Sequence, residues 1–256
     1  MKKCLFRVAA GFLASRGRGA THGGWMMRRI LSWGVNIAVV WLEWNVLMRL
    51  FYRFGKDGMP VRLMEDNLEY LKYLTVLSNI LTGVAAAAYA LALPLAAFHL
   101  LRRMPGWVVR MKYTAAALAG LTLAVAACYL LPRDGAESAF GGPNLWLHLV
   151  LPLLAVLDWT LLDREGTLRL RASLLPTLCI AAYGGFYQGN LILNGWGGRN
   201  HPNDWYRFAE SGPAGAFVAV GLMLAAGWTI AACLRLSHGG NDRAGKPEMG
   251  NRRADV

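Results

Sequence analysis

The chain has 256 residues, 55% of them hydrophobic and 16% charged, with a formal net charge of +12. Its apolar residues gather into runs of membrane-crossing length without polar faces, which argues against a soluble fold. Its basic residues flank those runs and form no aromatic-laced patch, so the bilayer is the expected partner and nucleic acid is not.

Residues 1–29 read as a basic cytoplasmic tail. The apolar stretch inside "MKKCLFRVAAGFLASRGRGATHGG" is too short for a convincing signal peptide. Six apolar runs follow, at 30–52, 70–101, 107–131, 145–162, 170–193 and 213–235. They predict an all-α domain over 30–235, a six-helix transmembrane bundle. The second run exceeds what a bilayer requires and is expected to tilt or project. The fourth, "LWLHLVLPLLAVLDWTLL", barely spans. The connections are short except for 53–69 and 194–212, and "NGWGGRNHPNDWYRFAESG" in the latter reads as an ordered cap. Residues 236–256 are polar and read as a disordered cytoplasmic tail.

Charge sets the expected orientation. Segments 1–29, 102–112, 163–171 and 235–256 carry 19 Lys and Arg against 8 elsewhere, which puts both termini in the cytoplasm. Cys128, Cys179 and Cys233 fall within spans and read as buried small hydrophobes. There is no metal-ligand spacing, HExxH or Gly-rich phosphate loop, so neither a metal nor a cofactor is expected.

In that topology four helices bring polar side chains to one level near the outer side. The first carries Glu43, the second Thr75, Ser78 and Asn79, the fourth His148, and the fifth Gln188 and Asn190. A carboxyl group near the bilayer centre costs about 2.5–3.5 kcal/mol on insertion scales, so Glu43 needs a buried partner or a water-filled cavity. It is either functional or a structural ion pair or hydrogen bond. A threonine hydroxyl becomes a nucleophile only beside a general base, and His148 has the near-neutral pKa for that work. The alternative for Thr75 is a bond to the carbonyl one turn back, and for His148 an interfacial hydrogen bond. Ser78 and Asn79 share the face of Thr75 and are either oxyanion donors or bonds between helices. Asp158 lies ten residues beyond His148, about 15 Å along the helix, and reads with Asp163, Arg164 and Glu165 as an anchor of the inner rim.

"KYLTVLSN" resembles a motif of the androgen-induced-gene family of six-pass membrane proteins, and "LWLHLVLPLLAVLDWTLLDREGTL" resembles the histidine-bearing fourth span of its bacterial relatives. The resemblance runs over about residues 30–235. It implies a threonine hydrolase of fatty acid esters in a bacterial inner membrane, with Thr75 as nucleophile and His148 as the essential histidine. The bacterial relatives commonly carry a "YPYPFLD"-like loop before the last span, where this chain has "HPNDWYRFAE". In the expected mechanism Asn79 or Ser78 stabilises the oxyanion and Glu43 or Gln188 orients His148. Two other classes stay open: a transporter or channel using a Glu43/His148 cavity, and a non-catalytic scaffold.

Overall fold

The computed structural model describes residues 22–54, 59–98, 101, 104–163, 168–196 and 203–237. It is all-α apart from one small hairpin. Six long helices follow one another: α1 (His22–Phe51), α2 (Leu74–Ala97), α3 (Gly106–Phe140), α4 (Pro143–Leu162), α5 (Leu174–Asn194) and α6 (Pro213–Ser237). Between α1 and α2, strands β1 (Tyr52–Phe54) and β2 (Pro60–Leu63) pair antiparallel, with Tyr52 opposite Leu63.

Five helices are long and apolar enough to cross a membrane: Met26–Phe51 within α1, and α2, α3, α4 and α6. The run at 170–193, predicted as a sixth span, forms α5, a helix of 21 residues that is not among these five. Gln188, Asn190, two tyrosines and three glycines dilute its apolar character. Helix α3 is central, packing against α2, α4, α5 and α6. Ala115, Ala116, Ala117 and Ala119 let its neighbours approach closely, as small residues do at helix contacts in membranes. By contrast, only 17% of the apolar window of α6 is buried. Phe217, Val218, Leu222 and Leu236 all face outward. So large an outward apolar surface is compatible with an integral membrane protein.

The three described cysteines, expected to be buried, are exposed on these outward faces. Residues 1–21 and 238–256, which include most of both predicted tails, lie outside the described residues. Arg164 and Glu165 of the predicted rim do too.

Two prolines shape the helices next to the polar level. Proline lacks an N–H and its ring clashes with the carbonyl four residues back, which disrupts the ordinary ladder. Just before Pro152, residues Trp146–Val150 form a π-turn in which the Leu151 N–H reaches the Trp146 carbonyl. Just before Pro132, Ala126–Leu130 does the same, with the Leu131 N–H on Ala126. His148 sits at the centre of the first of these turns. Such single-turn insertions concentrate at functional sites.

The second predicted span is divided. Residues Glu65–Lys72 form a 3-10 turn, Tyr73 is extended at φ −86° and ψ 130°, and α2 begins only at Leu74. Thr75 therefore stands in the first turn of a helix rather than some way inside one.

Candidate functional site

Thr75 is half-buried, and its hydroxyl makes no hydrogen bond among the described residues. The other described threonines differ. Thr82, Thr114, Thr160, Thr177 and Thr229 each donate to the carbonyl four residues back. Thr122 bonds Ser78 Oγ at 2.9 Å. Thr75 lacks this option because the residues preceding it are not α-helical. Its N–H and that of Val76 belong to the first turn, where no intrahelical acceptor exists. The N-cap residue Tyr73 makes no side-chain cap bond, and neither N–H has an acceptor among the described residues.

His148 is buried, 8% exposed, and its Nδ1 lies 2.8 Å from the carbonyl oxygen of Ala139. A carbonyl only accepts, so Nδ1 carries a proton, and in the neutral ring Nε2 keeps its lone pair. Ala139 lies in the short helical piece that follows a kink of α3 at Gly135 (φ 83°, ψ 169°), before the turn at Gly141 and Gly142 leads into α4. The group that orients the imidazole is thus a backbone carbonyl and not Glu43 or Gln188. Sequence reasoning had no signal for this, since any residue at 139 supplies the same oxygen.

Asn79 connects the two helices. Its Nδ2 donates to the Thr75 carbonyl at 2.8 Å and to the Leu147 carbonyl at 2.9 Å. That arrangement brings the first turn of α2 against the residue preceding His148. It also uses both amide hydrogens, leaving none for an oxyanion. Ser78 is committed as well: its single proton goes to the Thr75 carbonyl at 2.9 Å, so Thr122 is the donor in their mutual bond. Both residues act as ties between backbone and helices. Glu43 is 3% exposed, and neither of its carboxylate oxygens has a hydrogen-bond partner. Its side chain lies on Gly83, where an added Cβ would fall 2.8 Å from Glu43 Cγ. Gln188 is buried on α5 with both polar atoms unpartnered.

A latch holds the start of α2 in place, and sequence reasoning saw it only as an ordered cap. Tyr206 Oη accepts the Leu74 N–H at 2.8 Å. Tyr183 donates to the Lys72 carbonyl at 2.5 Å and lies 3.2 Å from Tyr206 Oη. Since the one Tyr183 proton goes to that carbonyl, Tyr206 is the donor between them. Burial pushes the Tyr206 hydroxyl well above the usual tyrosine pKa, with the neighbouring Tyr183 acting in the same direction. The segment carrying Tyr206 is itself fixed by Asp204, a buried carboxylate that accepts the Tyr187 hydroxyl and the N–H groups of Phe208 and Ala209. The segment "HPNDWYRFAE" thus contains Asp204 and Tyr206 of the latch.

A second polar cluster occupies the other end of the bundle. Lys112 Nζ lies 2.7 Å from Asp158 Oδ2 and 2.9 Å from Asp163 Oδ2, and sits 3.4 Å from the ring centroid of Tyr89. Asn36 Nδ2 adds a 2.7 Å bond to Asp158. The expected rim anchor is thus a buried ion cluster, and its cation was missed because Lys112 reads in sequence as one of several flanking charges. No group of three or more metal-ligating His, Cys, Asp or Glu side chains occurs among the described residues.

No protein-family model, curated protein or solved structure matches this chain.

Proposed function

We propose that this chain is a six-helix intramembrane hydrolase of lipid esters, of the kind its resemblance to the androgen-induced-gene family implies. Both termini would lie in the cytoplasm, and the membrane would be a bacterial inner membrane. The observation that supports the reading is a backbone tie between the neighbourhoods of two free groups, although no hydrogen bond joins Thr75 Oγ to His148 among the described residues. Thr75 has an unbonded hydroxyl at a helix start, and Asn79 ties that turn to Leu147, beside a histidine whose Nε2 keeps its lone pair.

In this mechanism Thr75 Oγ attacks the ester carbonyl carbon while His148 Nε2 takes the hydroxyl proton. The oxyanion of the tetrahedral intermediate takes hydrogen bonds from the open N–H groups of Thr75 and Val76, aided by the positive end of the helix dipole. Collapse breaks the bond to the alcohol oxygen, which leaves with the proton held by His148. An acyl-threonine ester remains. Water then attacks it with Nε2 as base, releasing the fatty acid and restoring Thr75.

A fluorophosphonate probe and a panel of lipid esters test this on purified protein. Labelling and turnover should be lost in Thr75→Ala and His148→Ala and partly kept in Thr75→Ser. Activity unchanged by the alanine substitutions would eliminate the mechanism.

The second reading, a transporter or channel, draws on Glu43, a buried carboxyl group without a hydrogen-bond partner. Proton-coupled uptake in proteoliposomes that disappears in Glu43→Gln, with no ester turnover in the wild type, would favour it. Intact folding with neither turnover nor flux would leave the scaffold reading.

A further inference from the structure

The end of the bundle that carries Thr75 and His148 has a cleft of about 470 Å³ between α1 and α4. Its apolar wall is formed by Trp41, Leu42, Val46 and Trp146, and its polar part by Asn45 and Arg49. No acidic residue lines it among the described residues. Arg49 is exposed in the last turn of α1 and has no ion pair or hydrogen bond among the described residues. Of the other described cations near this end, Lys72 pairs with Glu69, Arg133 with Asp134 and Arg207 with Glu210, while Arg53 and Arg62 on the hairpin are, like Arg49, unpaired among the described residues but do not line the cleft. Asn45 gives one amide hydrogen to the Trp41 carbonyl and keeps the other for a ligand, and Arg49 is the charge that the cleft offers.

We propose that this cleft binds one anionic phospholipid, with the Arg49 guanidinium on the headgroup phosphate and an acyl chain along Trp41, Leu42 and Trp146. The guanidinium fork suits a phosphate in two-point contact. Tryptophans at this level supply the amphipathic wall that lipid headgroup regions favour. Arg49 lies six residues beyond Glu43, about 9 Å along the helix, so a lipid held by its phosphate sends its chain down past the level of Glu43. The cleft is lined by chain neighbours of the candidate site residues: Leu42 precedes Glu43, and Trp146 precedes His148 by two residues. The proposal rests on membrane placement and not on ester hydrolysis.

The test is photolabelling of the full-length protein in detergent micelles with a phosphatidylglycerol analogue carrying a diazirine in one acyl chain. The labelled peptides are read by mass spectrometry. Label should concentrate on residues 41–49 and 142–146. Excess phosphatidylglycerol should displace it, and phosphatidylcholine much less. Arg49→Gln should cut labelling of the cleft about fivefold, the loss expected for one basic residue facing an anionic lipid. Arg49→Lys should restore part of it, and Asn45→Trp should block the cleft by shape with the charge retained. The outward face of α6 serves as a general lipid contact. Loss of label at the cleft alone overturns the site, and loss at both overturns the membrane placement with it. Equal competition by phosphatidylcholine, preferential competition by a free fatty acid, or an Arg49→Gln pattern like the wild type would each overturn the proposal.

Discussion

Asn79 Nδ2 lies 2.9 Å from the carbonyl oxygen of Leu147, a buried bond across 68 residues of sequence, and the same nitrogen holds the Thr75 carbonyl. Replacing Asn79 with Asp sets an acceptor against two acceptors. Interhelical hydrogen bonds in membranes average about 0.6 kcal/mol, and leaving buried carbonyls unmatched adds to the loss. Asn79→Asp should therefore destabilise the protein by about 1–3 kcal/mol, read by thermal unfolding in detergent. If the hydrolase mechanism holds, kcat should fall more than KM rises, because the bond positions Thr75 relative to His148 without touching the substrate. An unchanged melting temperature would show that the bridge contributes nothing.

Tyr206→Phe removes the acceptor for the Leu74 N–H and should cost about 1 kcal/mol at neutral pH. It should also change the alkaline limb of stability. The Tyr206 hydroxyl is held above its unfolded value near 10, so its contribution is full below about pH 10 and is lost as pH rises toward its folded pKa. Stability of the wild type should fall more steeply above pH 10 than that of Tyr206→Phe. Denaturant unfolding at pH 8 to 11 measures both slopes, and parallel curves would refute the assignment.

Apolar periodicity and length made the helices legible, because each long run must bury or coat a whole helix. The α-helical start at Leu74 was not legible. The 3-10 turn over Glu65–Lys72 and the extended Tyr73 follow from the latch made by Tyr183 and Tyr206, more than 100 residues away. Thr75, Asn79 and His148 stood out because polar groups are conspicuous in an apolar run. Their partners did not, since the Ala139 and Leu147 carbonyls carry no side-chain signature. Lys112 was hidden for another reason: a charge near the end of a span looks alike whether it meets water or two aspartates.

Gly83 tests the placement of Glu43. A Cβ there would come within 2.8 Å of Glu43 Cγ, so Gly83→Ala must displace a buried side chain. Overpacking of this kind typically costs about 1–3 kcal/mol. Truncating Glu43 to Ala removes the obstruction. The double variant should then be more stable than the sum of the two single losses predicts, by about 1 kcal/mol or more. Strict additivity in thermal unfolding would mean that the two residues do not touch.

The cluster at the other end predicts an asymmetry between its members. Lys112→Met leaves Asp158 and Asp163 facing each other, buried without their shared cation, and breaking a buried pair from one side costs about 3–5 kcal/mol. Asp158→Asn should cost much less. Lys112 keeps Asp163, and the new amide oxygen can still accept from Lys112 and Asn36. Adding Asp158→Asn to Lys112→Met should recover part of the loss, because it removes one of the two stranded negative charges. The ordering is therefore Lys112→Met worst, the double variant intermediate and Asp158→Asn mildest, measured as folded yield and melting temperature in detergent. A double variant no better than Lys112→Met would show that the loss comes from lysine packing on Tyr89 and not from unpaired charge.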